Sequence, residues 1–204
     1  MTFREKIFGG KETSRTQHGE LPGTTVEDFP KTVKSWRKAA EQGDAESQYN
    51  LGVAYARGHG VQQNDTEATK WYRKAAEQGN PDAQSNLGLM YQTGRGVPRD
   101  LSEAVKWFTK GAEQGSTLAQ YNLAVAYYYG YGVLQDYTQA VKWWLKSAQQ
   151  GHAESQYNLG VAYRTGMGVQ RNPNEAAKWY RKAAEQGHTD AQKSLEIILR
   201  SLEA

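Results

Sequence analysis

A ten-residue segment recurs along the chain at a fixed interval, and this repetition constrains the fold more than any other feature. KWYRKAAEQG occurs at 70–79 and again, unchanged, at 178–187, with looser copies at 106–115 (KWFTKGAEQG) and 142–151 (KWWLKSAQQG). The copies end on glycines 36 residues apart, and an earlier copy, KSWRKAAEQG, ends in the same register: Gly43, Gly79, Gly115, Gly151 and Gly187. A fixed period of this size is typical of a solenoid built from stacked supersecondary units.

Each unit is predicted to be a helix, a turn and a second helix. In the first unit, 45–57 has apolar and small residues at helical spacing, and Gly58 follows where a left-handed residue ends a helix. The second helix has an apolar stripe at Ala68, Trp71, Tyr72 and Ala75. Its start repeats as a cap residue followed three positions later by Glu or Gln: Asn64 with Glu67, Asp100 with Glu103, Asp136 with Gln139, and Asn172 with Glu175. The sequence therefore predicts an all-α solenoid of helix-turn-helix repeats.

The repeats divide the chain into four parts. We expect a flexible N-terminal tail over 1–28, a half repeat over 31–43, four full repeats over 44–187 and a C-terminal capping helix over 188–204. In that last helix Glu196 and Arg200 replace the small residues of earlier units, which suits the polar end that an open solenoid needs. Ile197 and Ile198 leave weak end-to-end dimerisation open beside a monomer.

Composition gives no indication of a charged or membrane partner. The chain has no cysteine, 25 basic and 22 acidic residues, and a formal net charge of +3. This balance gives no strong electrostatic surface for nucleic acid. No segment approaches the apolar length of a signal peptide or a membrane span, so we expect a soluble, cytoplasmic protein without membrane insertion.

Catalytic and metal sites are not predicted. Gly58-His59-Gly60 follows a helix and recurs as Gly94-Arg95-Gly96, so it is interpreted as a turn rather than a phosphate loop. His152 and His188 share a helix-start position with Asp44, Asn80 and Ser116, and they lack a close third ligand. We expect no enzyme activity, no cofactor and no metal.

The repeated motifs resemble the Sel-one-like repeat family, which is related to the tetratricopeptide repeats. The resemblance rests on SQYNLGVAYARGHGV at 47–61 and ATKWYRKAAEQG at 68–79, and it covers about residues 31–204. It implies a right-handed α/α superhelix that acts as an adaptor or scaffold, and many members are bacterial. A branch of the family has a disulfide in each unit, which a chain without cysteine does not share.

The outward face of each first helix is the predicted partner-binding surface. These positions should line the concave side of the superhelix, and they are, unit by unit, Tyr49, Asn50, Val53 and Arg57; Ser85, Asn86, Leu89 and Thr93; Tyr121, Asn122, Val125 and Tyr129; and Tyr157, Asn158, Val161 and Thr165. The four asparagines can donate to and accept from a peptide backbone. They can equally brace neighbouring helices, and the sequence leaves both roles open.

Unit three is unusually rich in aromatic residues. Tyr128, Tyr129 and Tyr131 exceed what the repeat requires, and Trp143-Trp144 replaces the usual Trp-Tyr pair. They form either a binding hot spot or a local packing cluster. The sequence thus predicts a non-catalytic protein-interaction scaffold that holds a peptide or protein, and the alternative is a carbohydrate- or cell-wall-associated protein that uses this third unit.

Overall fold

The computed structural model describes residues 29–203, which form ten α-helices and contain no strand. We number them in chain order: α1 Phe29–Glu41, α2 Ala45–Arg57, α3 Asp65–Glu77, α4 Pro81–Thr93, α5 Leu101–Glu113, α6 Thr117–Tyr129, α7 Tyr137–Gln149, α8 Ala153–Thr165, α9 Pro173–Glu185 and α10 Thr189–Glu203. Repeat one is α2 with α3, repeat two α4 with α5, repeat three α6 with α7, and repeat four α8 with α9. The predicted helix at 45–57 is confirmed, whereas the expected tail over 1–28 lies outside the described residues.

The helices pack as a solenoid in which each pair lies against the next. Every helix contacts the one that follows it, and the pairing within a repeat is the most extensive. The first helices α4 and α6 also contact each other, while no two second helices of the described chain pack to the same extent. At this junction the first helices are closer to each other than the second helices are, and we call the solvent-facing side of the first helices the inner face.

Glycine in the first helix lets the two helices of a repeat approach closely. Gly52, Gly88 and Gly160 each face the aromatic ring of their own repeat's second helix: Tyr72, Phe108 and Tyr180. A Cβ at Gly88 would lie 2.5 Å from the Phe108 ring, which no real contact allows. Packing against these rings therefore explains the three glycines inside the helices. Repeat three instead has Ala124 and Trp144 at these positions.

The loop glycines bring neighbouring repeats together. Gly94 ends α4 in the left-handed region at a φ of 74°. Two residues later, a Cβ on Gly96 would lie 2.1 Å from the carbonyl oxygen of Asp65 in the preceding repeat. The loops in repeats three and four make the same close approach through Gly132 and Gly168. The GxG motif is thus a turn, as predicted, and it also packs against the preceding repeat.

A row of buried glutamines joins successive repeats. Gln48, Gln84, Gln120 and Gln156 are only 3–4% exposed. Each donates its Nε2 proton to the last turn of the preceding second helix, at Ala40, Ala76, Ala112 and Ala148, over 3.0–3.2 Å. Each Oε1 accepts from the glutamine that ends its own repeat's second helix, Gln78, Gln114, Gln150 or Gln186, at 2.7–2.8 Å. One side chain thereby holds three helices in register.

The last helix presents a different surface. Glu196 stands where Gly52 stands in repeat one, and it pairs with Arg200 at 3.6 Å on the exposed side of α10. Ile198 is buried, whereas Ile197 is 68% exposed. The capping role of this helix and the dimer option stay predictions.

Replacing Gln120 with alanine is expected to lower the free energy of unfolding by about 2 kcal/mol, because it leaves the carbonyl of buried Ala112 without this partner and removes one acceptor of the Gln150 amide. Urea unfolding followed by circular dichroism measures the change. The matched control is Gln192→Ala, where the equivalent bond is 3.4 Å long and exposed, so less than about 0.5 kcal/mol should be lost. Equal losses would contradict the buried row as the source of stability.

Replacing Gly88 with alanine is expected to destabilise the protein by about 1–3 kcal/mol despite the better helix propensity of alanine, because the new methyl group overlaps the Phe108 ring. The control is a double-mutant cycle with Phe108→Leu, measured by thermal unfolding. The cost of Gly88→Ala should shrink in the leucine background. An unchanged cost would show that the ring contact is not its cause.

Candidate functional site

Tyrosines recur along the inner face of the solenoid, at the same position of three first helices. They are Tyr49, Tyr121 and Tyr157, with Ser85 at that position in repeat two. The Tyr49 ring lies 6.1 Å from Tyr72, and the Tyr157 ring lies 5.8 Å from Tyr180. The second helices therefore anchor Tyr49 and Tyr157, the Tyr121 ring packs on His152, and part of each tyrosine stays accessible.

Ser85 coincides with the closest approach between first helices. It is fully buried, and its hydroxyl has no hydrogen-bond partner among the described residues. Its helix, α4, is the one that contacts the next first helix, α6. A serine removes the bulk of the tyrosine ring at this position, which allows the inner face to close more tightly between repeats two and three.

The N-terminal ends of the first helices form an acidic rim beside these tyrosines. The rim residues are Glu46, Asp82 and Glu154, and Leu118 takes this position in repeat three. Each carboxylate is linked to the next repeat's cap residue: Glu46 to Asn80 and Asp82 to Ser116, both at 3.3 Å, and Glu154 to His188. The rim therefore connects repeats and also gives one side of the inner face a negative charge.

Burial and the rim together hold the inner tyrosines in their neutral form. Burial, together with the charges of Asp82 and Glu46, raises the pKa of Tyr49 to about 12. Burial also raises the pKa of Tyr121, with Glu154 as the next contributor. These hydroxyls consequently act as neutral hydrogen-bonding groups near pH 7.

The two histidines of the helix-start position are helix caps, as predicted. His152 accepts a hydrogen bond from the Ser155 amide at its Nδ1 atom, and His188 accepts one from the Ala191 amide. Their rings also pack on the inner face, 4.8 Å from Tyr121 for His152 and 4.6 Å from Tyr157 for His188. Over residues 29–203, no three His, Asp or Glu side chains are grouped as a metal site would need, and none of the helices has the length and apolarity to cross a bilayer.

Four of the positions predicted to face a partner are buried. Val53 is 5% exposed, Asn158 is 3% exposed, Val125 is 2% exposed and Ser85 is covered completely. A helical wheel treats each helix alone, whereas here the neighbouring repeats cover these side chains, so we remove them from the contact surface. The remaining positions are partly or fully exposed, and their role stays a prediction: Tyr49, Asn50, Arg57, Asn86, Leu89, Thr93, Tyr121, Asn122, Tyr129, Tyr157, Val161 and Thr165.

The asparagine position does not have the same role in every repeat. Asn86 is a hydrogen-bonding neighbour of the hydroxyl groups of Tyr49 and Tyr72, both in repeat one. Ser194, the equivalent residue of α10, has the same relation to Tyr180. We therefore expect Asn86 to brace repeats one and two. For Asn122, the residue equivalent to Tyr72 is Phe108, which has no hydroxyl to offer.

The extra aromatic residues of repeat three form a packed cluster. Tyr128 contacts the rings of Tyr129, Tyr137 and Trp144 at centroid distances of 4.8, 5.1 and 5.3 Å. Tyr129 stacks on Tyr131 at 5.2 Å, and both rings are partly buried. The aromatic residues of repeat three therefore pack against one another, and Tyr137 at the margin of this cluster stays exposed.

The acidic rim was missing from the sequence analysis. The recurrence of Glu46, Asp82, Glu154 and Asp190 at one position of the repeat could have indicated it. Without the packing of the repeats, however, an acidic residue in the first turn of a helix is explained by the helix dipole alone.

The stacked helix pairs define an α/α solenoid of helical repeats. The Sel1 repeat model matches residues 17–44, 45–80, 81–116, 117–152 and 153–188. The chain therefore belongs to the Sel1 repeat family. The first of these ranges begins inside the segment expected to be a tail, and its residues before 29 lie outside the described structure.

Two solved structures are similar over most of this chain. One is c5321, a protective antigen of uropathogenic Escherichia coli strains with an SLR fold: identity is 42%, the match covers 93% of this chain and 38% of that one, and the TM-score is 0.79. The other is a Sel1 repeat protein from Oxalobacter formigenes: identity is 39%, the match covers 84% of this chain and 50% of that one, and the TM-score is 0.77. This chain thus spans half or less of their length.

A more distant likeness shows the fold alone. The immunity protein Pa5087 from Pseudomonas aeruginosa is 24% identical, the match covers 85% of this chain and 64% of that one, and the TM-score is 0.54. A comparison with proteins of curated function returned no match. Sel1 repeats are generally a non-catalytic scaffold fold that mediates protein interactions.

Alanine at Asn86 and at Asn122 should affect stability differently. Asn86→Ala is expected to cost about 1 kcal/mol, since it removes the hydrogen-bonding neighbour of Tyr49 and Tyr72. Asn122→Ala, at the same position one repeat later, should cost less than about 0.5 kcal/mol, because the residue equivalent to Tyr72 is a phenylalanine. Urea unfolding of the two variants measures both. A large loss for Asn122→Ala would contradict this division of roles.

Proposed function

We propose that the chain is a non-catalytic interaction scaffold that holds an extended peptide or a partner segment on its inner face. The observation that supports this most directly is the row of anchored tyrosines, Tyr49, Tyr121 and Tyr157, at repeat intervals along the first helices. Tyrosine offers a large contact area with a polar end and few rotatable bonds, and it is enriched at binding hot spots.

Each group of the inner face has a role in this proposal. The tyrosine rings contact the partner's side chains, and the amides of Asn50 and Asn122 bond its backbone. The side chains of Leu89 and Tyr129 add apolar contacts with the partner. Asn86 holds Tyr49 in position and does not bond the partner's backbone.

The charges of the inner face give the partner an orientation. The acidic rim at Glu46, Asp82 and Glu154 lies at the N-terminal ends of the first helices, and Arg57 lies at the opposite end of α2. A partner with basic groups toward the rim and an acidic group toward Arg57 would match this field. Leu118 interrupts the rim at repeat three, so the match there is apolar.

The test uses random peptides displayed on phage and selected on the full chain, followed by fluorescence anisotropy with synthetic copies of the enriched peptides. The Asn50→Ala/Asn122→Ala double variant should bind them about tenfold more weakly with an unchanged melting temperature. Lys106→Ala on the outer face is the matched surface control and should bind normally. Enriched peptides that bind both variants equally well would contradict the inner-face site.

The carbohydrate alternative is tested in parallel on a glycan array. Aromatic residues of repeat three could stack on sugar rings, but Tyr128, Tyr129 and Tyr131 are packed on one another and on Trp144. We therefore expect no retained glycan. Retention of a sugar together with failure to select peptides would overturn the proposal in favour of the alternative.

A further inference from the structure

The inner-face tyrosine of repeat one lies close to carboxylates from two repeats. Glu46 precedes Tyr49 by one turn of α2, and Asp82 lies in the first turn of α4. Burial raises the pKa of Tyr49 most, the charges of Asp82 and Glu46 raise it next, and the more weakly acting Arg57 lowers it. Two negative charges therefore act on this hydroxyl against one positive charge.

Neutral groups hold both carboxylates, so their charges remain. The Glu46 carboxylate accepts from the Asn80 side-chain amide, and the Asp82 carboxylate accepts from the Ser116 hydroxyl, each at 3.3 Å. Both acidic residues are exposed. The turns that lead into α2 and α4, residues 41–47 and 77–82, contain no lysine or arginine. Their acidic side chains exceed the roughly half a positive charge at each helix N-terminus, and they are Glu41, Asp44, Glu46, Glu77 and Asp82.

Repeat four has the same tyrosine and the same acid, but there a side chain of the protein itself covers the tyrosine ring. The His188 ring stacks on Tyr157 with a centroid distance of 4.6 Å and an interplanar angle of 22°, and its Nε2 atom bonds the Glu154 carboxylate. A planar nitrogen base thus contacts the ring and the acid together. In repeat one Asn80 takes the place of His188, and an asparagine has no ring to stack on Tyr49.

Asparagine and histidine both cap the helix that follows this position. The Asn80 Oδ1 atom accepts from the Ala83 amide at 2.8 Å, and the His188 Nδ1 atom accepts from the Ala191 amide at 3.2 Å. The fold therefore accepts either residue. What differs is the tyrosine, because the histidine ring covers Tyr157 whereas Tyr49 stays available to a planar cation from outside.

Each of the other repeats lacks one part of this arrangement. Repeat two has Ser85 in place of the tyrosine, and repeat three has Leu118 in place of the acid. In repeat four the ring is covered by His188. The tyrosine, the acid and the uncovered ring occur together only in repeat one of the four repeats described.

We propose that Tyr49, Glu46 and Asp82 form a binding site for an arginine side chain of the partner segment. This inference rests on the inner-face function proposed above and names one residue of that partner. The guanidinium group stacks on the Tyr49 ring and donates to the two carboxylates. Arginine suits the site better than lysine, because its guanidinium group is planar and presents several N–H donors in fixed directions. The site also sets the register, since it places this arginine at repeat one.

The first test uses a probe that does not depend on peptide selection. N-acetyl-arginine amide is titrated into the full chain, to concentrations on the order of millimolar, while NMR follows the Tyr49 ring. We expect saturable shifts of the ring signals, and much weaker shifts with N-acetyl-citrulline amide, which has a similar shape without the charge. Asn80→His should abolish the shifts, because its imidazole would cover Tyr49 as His188 covers Tyr157.

The second test removes the two charges and keeps their hydrogen bonds. Glu46→Gln with Asp82→Asn leaves an acceptor for Asn80 and for Ser116. The dissociation constant of the arginine probe should rise about tenfold at low salt. The matched control is Glu113→Gln with Glu185→Gln, which removes two exposed carboxylates from the last turns of α5 and α9 and should change affinity less than about twofold. Melting temperatures identify misfolding, and if Asn80→His melts early the charge variant decides.

The outcomes separate the arginine site from the inner-face function. Equal shifts with the arginine and citrulline probes, or an arginine probe that binds the charge variant as tightly as the original chain, overturn the site. Selected peptides that depend on Asn50 and Asn122 but show no preference for arginine support the inner-face function and overturn the site. Shifts at Tyr49 that require the arginine charge and vanish in Asn80→His support the site, even where no peptide is selected.

Discussion

The stacking of this solenoid depends on a buried side-chain amide at each junction. Gln84, for example, donates to the last turn of α3 and accepts from the glutamine that ends α5, so one residue fixes three helices at once. A buried amide that loses its partners is costly, and any shift between repeats would break both bonds together. The same geometry recurs at Gln48, Gln120 and Gln156, which explains why the units repeat so regularly.

Glycine residues then allow the helices of a repeat, and neighbouring repeats, to approach each other closely. Gly88 admits the Phe108 ring within a repeat, and Gly96 admits the backbone at Asp65 between repeats. These contacts set the spacing between the two helices of a repeat and between neighbouring repeats. The packing thus decides which side chains of the solenoid stay accessible. Asn86, for example, neighbours the hydroxyl groups of Tyr49 and Tyr72 in the preceding repeat, whereas for Asn122 the residue equivalent to Tyr72 is Phe108.

Repeat three differs from the others only where stacking allows it. It keeps the buried Gln120 and Leu123, and its loop glycine Gly132 still contacts the preceding repeat. Inside the repeat, Ala124 and Trp144 replace the glycine and the Tyr or Phe ring of the other repeats. Other changes are at exposed or partly exposed positions: Leu118 in the acidic rim, Gln139 in place of glutamate, Leu134 in the loop and Tyr137 at the start of α7. Repeat three can therefore differ from its neighbours in its accessible side chains while the solenoid stays continuous.

The sequence by itself determined the repeat period, the helices, their caps and the close-packing glycines, because these depend on local backbone preferences and on spacing within the chain. It also indicated the tyrosine row and the unusual third repeat. Only the tertiary structure decided which of those side chains are accessible. Val53 and Asn158 face outward on an isolated helix but are covered by neighbouring repeats, and Asn86 finds its hydrogen-bonding neighbours in another repeat. Burial and partner choice arise between helices that are distant in sequence, which is why periodicity alone could not fix them.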